Sequence, residues 1–434
     1  MKPLAFFTVF IVGFWAGLLP AQTFHFPATE IQHRHQSALA RLPDSSWIVL
    51  KAPSAIDAQR LRYIPEADIL WFTGSGLPGC AFMLFRQGSW HAAPRVSSVF
   101  FTSDPEKTAP GLFDTVLLID RFSHLFNSLN HNFKNLYTRL PEPEFVADWI
   151  NSKAIFLHQN ATKQYKTKYP EKKVLPIEKI NTALREIKSL HETETIRKAI
   201  QLTGSGIEAA MRICGPGVHE FELQAAIEHE MKAGGAITTA FPSIIGSGPN
   251  GLILHHEEND RTMTEGDLVV MDVGAWYNGY SADITRTLPV TGKFTDAQKN
   301  LYNLVLKAQK EAIETVKPGV TITQLQKTIQ RIFTLAGYPP QYMPHGVSHS
   351  LGIETHDVMS TDTLRAGMII TIEPGLYIPI HDTTQPAAIR GSGIRIEDDI
   401  LVTETGSEVL SRNIPKEAEE IERFMLKERK NNTR

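Results

Sequence analysis

Four carboxylates and one imidazole between Asp272 and Glu397 carry the chemistry of this chain. Asp272 and Asp283 flank a turn-like segment, and His349 lies in a histidine-rich stretch. Glu373 precedes Pro374-Gly375, and Glu397 sits in a strand-like run that continues into Asp398-Asp399. Oxygen donors suit hard divalent cations such as Mn²⁺ or Mg²⁺, and a histidine admits Zn²⁺ or Co²⁺. Such a set is enough to hold two ions and points to a dinuclear hydrolase. Either aspartate alone reads equally as a strand-end or turn acid. Asp272, however, is flanked by Val270, Met271 and Val273, where an unpaired carboxylate is expensive.

The local sequence says how the two aspartates meet. Apolar runs flank Tyr277-Asn278-Gly279-Tyr280, and Asn-Gly is a strong signal for a two-residue hairpin turn. With Asn278 and Gly279 as the turn, Gly274 faces Asp283, and Asp272 is the diagonal neighbour of Asp283 on the same sheet face. Diagonal side chains start about 7 Å apart, within reach of two metals about 3.5–4 Å from one another. Beyond the hairpin, Pro344-His345-Gly346-Val347-Ser348-His349 supplies two imidazoles and His356 a third. Pro344 and Gly346 argue for loop and strand there, not helix. Arg395 reads either as a cation that orients a nearby carboxylate or as a surface ion pair.

The elements that must position these groups come in two similar sets. Ser189 and Glu192 match a capping box ahead of a helix that Gly215-Pro216-Gly217 stops, and a second helix is expected from Glu220 to Ala233. Strand-like runs follow at Phe241 to Ile245, Leu252 to His255, Leu268 to Ala275 and Ala282 to Val290. Thr295 and Gln298 then form another capping box, a further helix runs from about Thr323 to Ala336, and strands are expected at Met368 to Ile372 and Ile394 to Thr403. Two such halves packed face to face would place the ligands between them. Before Leu184, runs at Ser46 to Lys51, Ile69 to Thr73, Cys80 to Phe85, Val96 to Phe101 and Thr115 to Ile119 read as strands, and Phe122 to Leu129 and Glu144 to Ile150 as helices. That alternation predicts a smaller α/β domain.

A chain of 434 residues with 42% hydrophobic content is too long for one compact domain. The net charge is −3, and no basic face stands out, so no nucleic-acid partner is expected. Cys80 and Cys214 lie far apart and read as buried thiols, not as a disulfide framework. Residues 1–21 read as a signal peptide, with Lys2, an apolar run from Leu4 to Leu19 and cleavage after Ala21. The product would be periplasmic or secreted, with no stable membrane span once the signal is cut.

The stretches from Ile253 to Asn259, Val270 to Thr287, His345 to Asp357, Ile370 to Tyr377 and Gly393 to Thr403 resemble those of aminopeptidase P, the Xaa-Pro aminopeptidases among the pita-bread metallopeptidases. After the signal peptide read at 1–21, the resemblance implies an aminopeptidase P-like N-terminal domain at 22–183 and a pita-bread α/β catalytic domain with pseudo-two-fold halves at 184–434. It implies two Mn²⁺-like ions, with Zn²⁺ or Co²⁺ as alternatives: Asp272 on one, His349 and Glu373 on the other, Asp283 and Glu397 bridging. A hydroxide between the metals would attack the bond before proline, and Glu373 would shuttle its proton. His255 and His356 match the family's histidines near the scissile carbonyl and the departing proline nitrogen. His345 matches a residue lining the proline subsite, and Arg395, on the substrate side of the site, matches the support of Glu397.

The substrates implied are peptides with proline in the second position, and the assembly a homo-oligomer, dimer or tetramer. The N-terminal region departs most from the family, and His256 stands where relatives commonly carry tyrosine, so the first-residue subsite is expected to differ. Prolidase, which shares these ligands but takes dipeptides, is the alternative enzyme. A non-catalytic peptide- or protein-binding relative is a third reading, set against the complete ligand set.

Overall fold

The computed structural model describes residues 24–52, 66–85, 98–108, 110–140, 163 and 165–432. The predicted signal peptide and the helix expected at Glu144 to Ile150 lie outside the described residues. In the N-terminal region, α1 (Ala28–Arg41), β1 (Ser46–Lys51), α2 (Ala67–Thr73), β2 (Ala81–Phe85), β3 (Ser98–Thr102), β4 (Thr115–Leu118), α3 (Phe122–Asn130), β5 (Asn135–Thr138) and β6 (Lys173–Pro176) precede α4 (Glu178–Arg185). The strands form one mixed sheet in the order β4-β3-β2-β1-β5-β6. Strand alternation divides its side chains between two cores. Trp47, Val49, Met83 and Phe101 pack with Leu129 of α3. On the other face, Ile48, Leu50, Phe82 and Phe100 join a core that continues without interruption into the rest of the chain. The domain boundary expected near Leu184 falls inside α4.

One element corrects the sequence reading. The run Ile69 to Thr73, expected as a strand, is helix α2. All seven of its residues are buried, and an apolar run without periodicity carries no mark of helix over strand. Tertiary partners decide it: Arg34 Nη1 donates to Trp71 O at 2.8 Å and His35 Nε2 to Phe72 O at 2.7 Å, and both come from α1. Those carbonyls end a helix whose Gly74 takes a left-handed φ of 62° and donates to Leu70 O at 2.8 Å.

The second region holds the two expected helix pairs. Ser189 and Glu192 cap α5 (Leu190–Ile213), α6 (Glu220–Ala233) follows, and Thr295 and Gln298 cap α7 (Asp296–Thr315). Thr321 and Gln324 add a capping box, unforeseen from the sequence, to α8 (Ile322–Leu335). Between and after the pairs lie β7 (Thr238–Thr239), β8 (Ile244–Ser247), β9 (Leu268–Val273), β10 (Ala275–Tyr277), β11 (Tyr280–Ser281) and β12 (Ile284–Pro289), then β13 (Ile369–Ile372), β14 (Gly375–Tyr377), β15 (Gly393–Arg395), β16 (Asp398–Val402), β17 (Ser407–Val409) and finally α9 (Ala418–Asn432). Among the described residues no helix is long and apolar enough to cross a membrane.

Two strand expectations are revised here. Leu252 to His255 is no strand: a 3-10 helix, Gly248–Leu252, enters a loop, because Gly248-Pro249-Asn250-Gly251 is turn sequence. The run Ile394 to Thr403 is two strands, broken at Ile396-Glu397. Pro374 sits in the facing gap between β13 and β14 and lacks an N–H with which to continue the ladder.

His35 supplies a stability test. Its ring is stacked on Phe72 and Phe82, and burial pushes its imidazole down to about 4. An unfolded histidine takes its proton near pH 6.5. The unfolded chain therefore binds more protons between pH 6.5 and 4, and stability present above that window is lost as pH falls through it. The loss is on the order of 3 kcal/mol. Urea midpoints at pH 7 and pH 4.5 should fall further apart for the wild type than for His35→Gln.

Candidate active site

Asp272 lies inside strand β9, whereas Asp283, Glu373 and Glu397 sit where a hairpin ladder is interrupted. β9 and β12 pair with Thr285 opposite Asp272, and β10 and β11 pair with Tyr277 opposite Tyr280, so one register runs through both. It sets Gly274 opposite Asp283, as the Asn278-Gly279 turn requires, and the turn residues take φ of 47° and 87°. The gap depends on glycine. A Cβ on Gly274 would lie 1.9 Å from Ala282 O. The second hairpin repeats the device: Glu373 falls between β13 and β14, and Glu397 between β15 and β16. Glu397 N donates to Thr285 O at 3.1 Å, which docks one hairpin on the other.

All nine residues singled out from the sequence line a single cavity of 740 Å³: Asp272, Asp283, His349, Glu373, Glu397, His255, His345, His356 and Arg395. Ligand-type atoms of Asp283, His349 and Glu397 lie within 4.8 Å of one another. His349 Nδ1 donates to Ser350 O at 3.1 Å, which leaves Nε2 bare. That bare nitrogen stands 3.3 Å from Asp283 Oδ2 and 3.7 Å from Glu373 Oε1. A lone pair facing carboxylate oxygens at such range calls for a cation between them. The rings of His349 and His356 lie tilted to one another with centres 4.2 Å apart.

The charge balance makes the same demand. Burial first, then the neighbouring charges of Glu397, Asp272, Asp399 and Glu373, push Asp283 well above the ordinary carboxylate range. Glu397 is raised likewise by burial and by Asp272 and Glu373. Glu373 is pushed up to about 8 by burial, with Arg395 opposing and Asp272 adding. Burial holds His345 and His349 down at about 4, so both are neutral donors near pH 7. Asp272 Oδ1 and Asp399 Oδ1 are buried without a hydrogen-bond partner. These acids, the neutral imidazole and the orphaned oxygens fit a pair of divalent ions.

The comparisons agree with this geometry. The model of metallopeptidase family M24 matches residues 194–404. The Xaa-Pro aminopeptidase of Escherichia coli is 33% identical over 442 residues, covering 92% of this chain and 98% of that one. The chain belongs to the aminopeptidase P family. A solved structure of E. coli aminopeptidase P with the inhibitor Pro-Leu superposes with a TM-score of 0.81 at 29% identity, covering 94% of this chain and all of the other. The Xaa-Pro dipeptidase of Pyrococcus furiosus is 37% identical over 59% of this chain and 72% of its own. The pita-bread fold and a dinuclear divalent metal site are therefore those of this chain.

Within this aminopeptidase P scaffold the structure adds residues that the sequence reading passed over. Thr285 Oγ1 donates to Glu397 Oε2 at 2.8 Å and accepts from Arg395 Nε at 3.1 Å. Arg395 reaches Glu397 only through this threonine. Its own carboxylate partner is Asp272, at 2.7 Å, and it donates to Tyr377 Oη at 2.7 Å. Tyr377 lies edge-on to His345 with centres 5.4 Å apart. Strand alternation could have found Thr285, two residues from Asp283 on the same face. His256 is not among the lining residues. Its Nε2 is 3.1 Å from buried Glu220, whose oxygens also accept from Ser247 N, Ser247 Oγ and Arg261 N. That network anchors the loop bearing His255. Gly393 lets the same loop approach, since a Cβ there would meet Gly251 O at 1.9 Å.

The loop bearing His356 is anchored by charge. Arg185 donates to Asp68 Oδ1 at 2.7 Å, to Glu354 Oε2 at 3.0 Å and to Asp357 Oδ1. Burial would raise Asp357, but Arg185 and Lys188 outweigh it and hold this carboxylate below its usual range. Arg185→Met leaves buried Asp68 without its cation and Asp357 with Lys188 alone, and should cost about 3–5 kcal/mol in urea unfolding. Arg185→Lys cannot fork to both acids and should recover only part of the loss.

Proposed function

We propose that the chain is an Xaa-Pro aminopeptidase that releases the first residue of peptides carrying proline in the second position. The observation that carries this is the convergence of Asp272, Asp283, His349, Glu373 and Glu397, with His255, His345 and His356, on one cavity in a chain alignable nearly end to end with the E. coli enzyme. The five ligands would hold two divalent ions, Mn²⁺ by the hard-donor majority of the set. When bound, such ions supply Lewis acidity and a water made nucleophilic at neutral pH.

The protein's own residues account for the rest of the reaction. Proline offers no N–H and a fixed φ, so recognition must come from the walls and from groups that grip the free amino terminus. His345, with Tyr377 edge-on to it, gives the cavity an aromatic side suited to the pyrrolidine ring. Glu373 is placed to take a proton from the attacking water. His356 Nε2 or Nδ1 would return one to the departing proline nitrogen, because an imide nitrogen leaves only when protonated. His255, on its anchored loop, would donate to the scissile carbonyl oxygen. Arg395 positions Asp272 and Thr285 and keeps the acids from repelling one another apart.

The apolar run Leu4 to Leu19 ahead of Pro20-Ala21 supports export to the periplasm or medium, and we read the working form as a dimer or tetramer. Prolidase is the less favoured reading, because the dipeptidase likeness spans 59% of the chain against 92% for the aminopeptidase. Peptide panels with Mn²⁺, read by mass spectrometry, should show cleavage of Xaa-Pro-Yaa and longer peptides; cleavage of Xaa-Pro alone would move the assignment to prolidase. Glu373→Gln should lower kcat/KM by roughly 10²–10⁴-fold in a folded protein. Chelation should abolish turnover, and Mn²⁺ should restore it.

A further inference from the structure

The hairpin that carries Asp272 and Asp283 is held from outside by the first described residues of the chain. His25 N donates to Asn278 Oδ1 at 2.7 Å, and Asn278 Nδ2 donates back to His25 O at 3.2 Å. Phe24 meets Trp276 edge-on with centres 5.6 Å apart, and Phe26 lies 6.2 Å from Tyr280. Arg34 of α1 covers Phe26 at 5.1 Å and donates to Tyr280 Oη at 3.1 Å, and Tyr280 in turn donates to Glu192 Oε1 at 2.5 Å. Trp276 and Ser281, on the same hairpin arm, line the cavity.

This contact matters because the arm is weak by itself. β10 and β11 share only two residue pairs, Trp276 with Ser281 and Tyr277 with Tyr280, β7 adds two more on the other edge of β10, and the ladder is interrupted at Gly274. Three strands of only two or three residues each fall well below ordinary strand length, and the outer edge of such a sheet depends on what packs against it. Ligands, however, must stand within about 0.5 Å of their working positions. The strap from Phe24 to Phe26 covers the outer flank of the ribbon with rings and ties its turn with two hydrogen bonds.

We propose that Phe24, Phe26 and the His25–Asn278 pair are positioning elements that fix how Asp272 and Asp283 stand, so that divalent-cation affinity in the catalytic half depends on the N-terminal strap. The proposal rests on the reading of the cavity as a dinuclear centre. It concerns no residue that touches metal or substrate.

The test uses the full chain, stripped with chelator, dialysed and titrated with Mn²⁺ alone by calorimetry. Asn278→Gly keeps the turn, because glycine accepts positive φ freely, and removes both bonds to His25. Combined with Phe24→Ala it should weaken Mn²⁺ binding about tenfold or more and speed amide exchange from Trp276 to Asp283. Turnover should return close to wild type at saturating Mn²⁺. Met83→Ala, on the far face of the N-terminal sheet, controls for simple destabilisation and should leave Mn²⁺ affinity unchanged. Unchanged affinity in the strap variant, or an equal loss in the control, overturns the proposal while wild-type Mn²⁺ uptake leaves the dinuclear reading intact. A wild-type chain that takes up no Mn²⁺ overturns that reading and this proposal together.

Discussion

Mutual repulsion among buried carboxylates is the constraint around which the catalytic half is organised. Asp283 and Glu397 are 5% and 1% exposed, Asp272 and Glu373 share their cavity, and Arg395 is the single Lys or Arg among its lining residues. Nothing in ordinary folding energetics favours such a cluster. Each carboxylate loses hydration, and each adds to the potential felt by the others. The surrounding ladders and apolar core must therefore oppose a local force that would open the site, and a pair of cations relieves that force at once. Affinity for metal is in this sense written into the unfavourable electrostatics of the metal-free fold.

The backbone tolerates this because all of the acids but Asp272 occupy interruptions, not ladder interiors. At Gly274, Asp283, Glu373 and Glu397 the regular pairing lapses, and each hairpin resumes in the same or a neighbouring sheet. Strand alternation then sorts adjacent acids by fate. Asp398 turns to the opposite side from Glu397 and Asp399, where Arg286 Nη2 meets it at 2.9 Å and Lys416 adds a second cation. Burial would raise Asp398, yet Arg286 and Lys416 bring it to about 2. Glu397 lines the cavity and Asp399 accepts from Asp283 N at 3.2 Å; among the described residues neither has an ion-pair partner, and burial drives both upward. Three consecutive acids thus divide into one structural ion pair and two groups poised around the cation site.

Legibility in the sequence followed the range of the deciding interaction. The capping boxes at Ser189 and Thr295 were readable because donor and acceptor lie three residues apart. The register that sets Gly274 opposite Asp283 was readable because a two-residue turn leaves one choice. The ligand set itself was legible through its likeness to a known pattern, since residues so far apart in sequence carry no local sign of convergence. Helix α2 was misread because the groups that receive its terminal carbonyls belong to α1. Arg185 and Arg34 escaped notice for the same reason: each is an unremarkable cation on a helix until the fold surrounds it with carboxylates from elsewhere.

Those two arginines also explain what the N-terminal region does for a cavity it does not line. Among the described residues, no side chain before Thr239 borders that cavity. Yet Asp68 of α2 anchors Arg185, which holds the loop bearing His356, and Arg34 of α1 engages Tyr280 on the hairpin bearing Asp272 and Asp283. One contact steadies the imidazole side of the centre, the other the carboxylate side. Both are almost wholly buried, with Arg34 and Arg185 at 2% and 3% exposure, so neither can shift without stranding charge. The two regions share one continuous core, so α1 and α2 are packed to the elements that carry opposite walls of the cavity. A region that lines none of the cavity thereby contacts the elements that hold both sides of it.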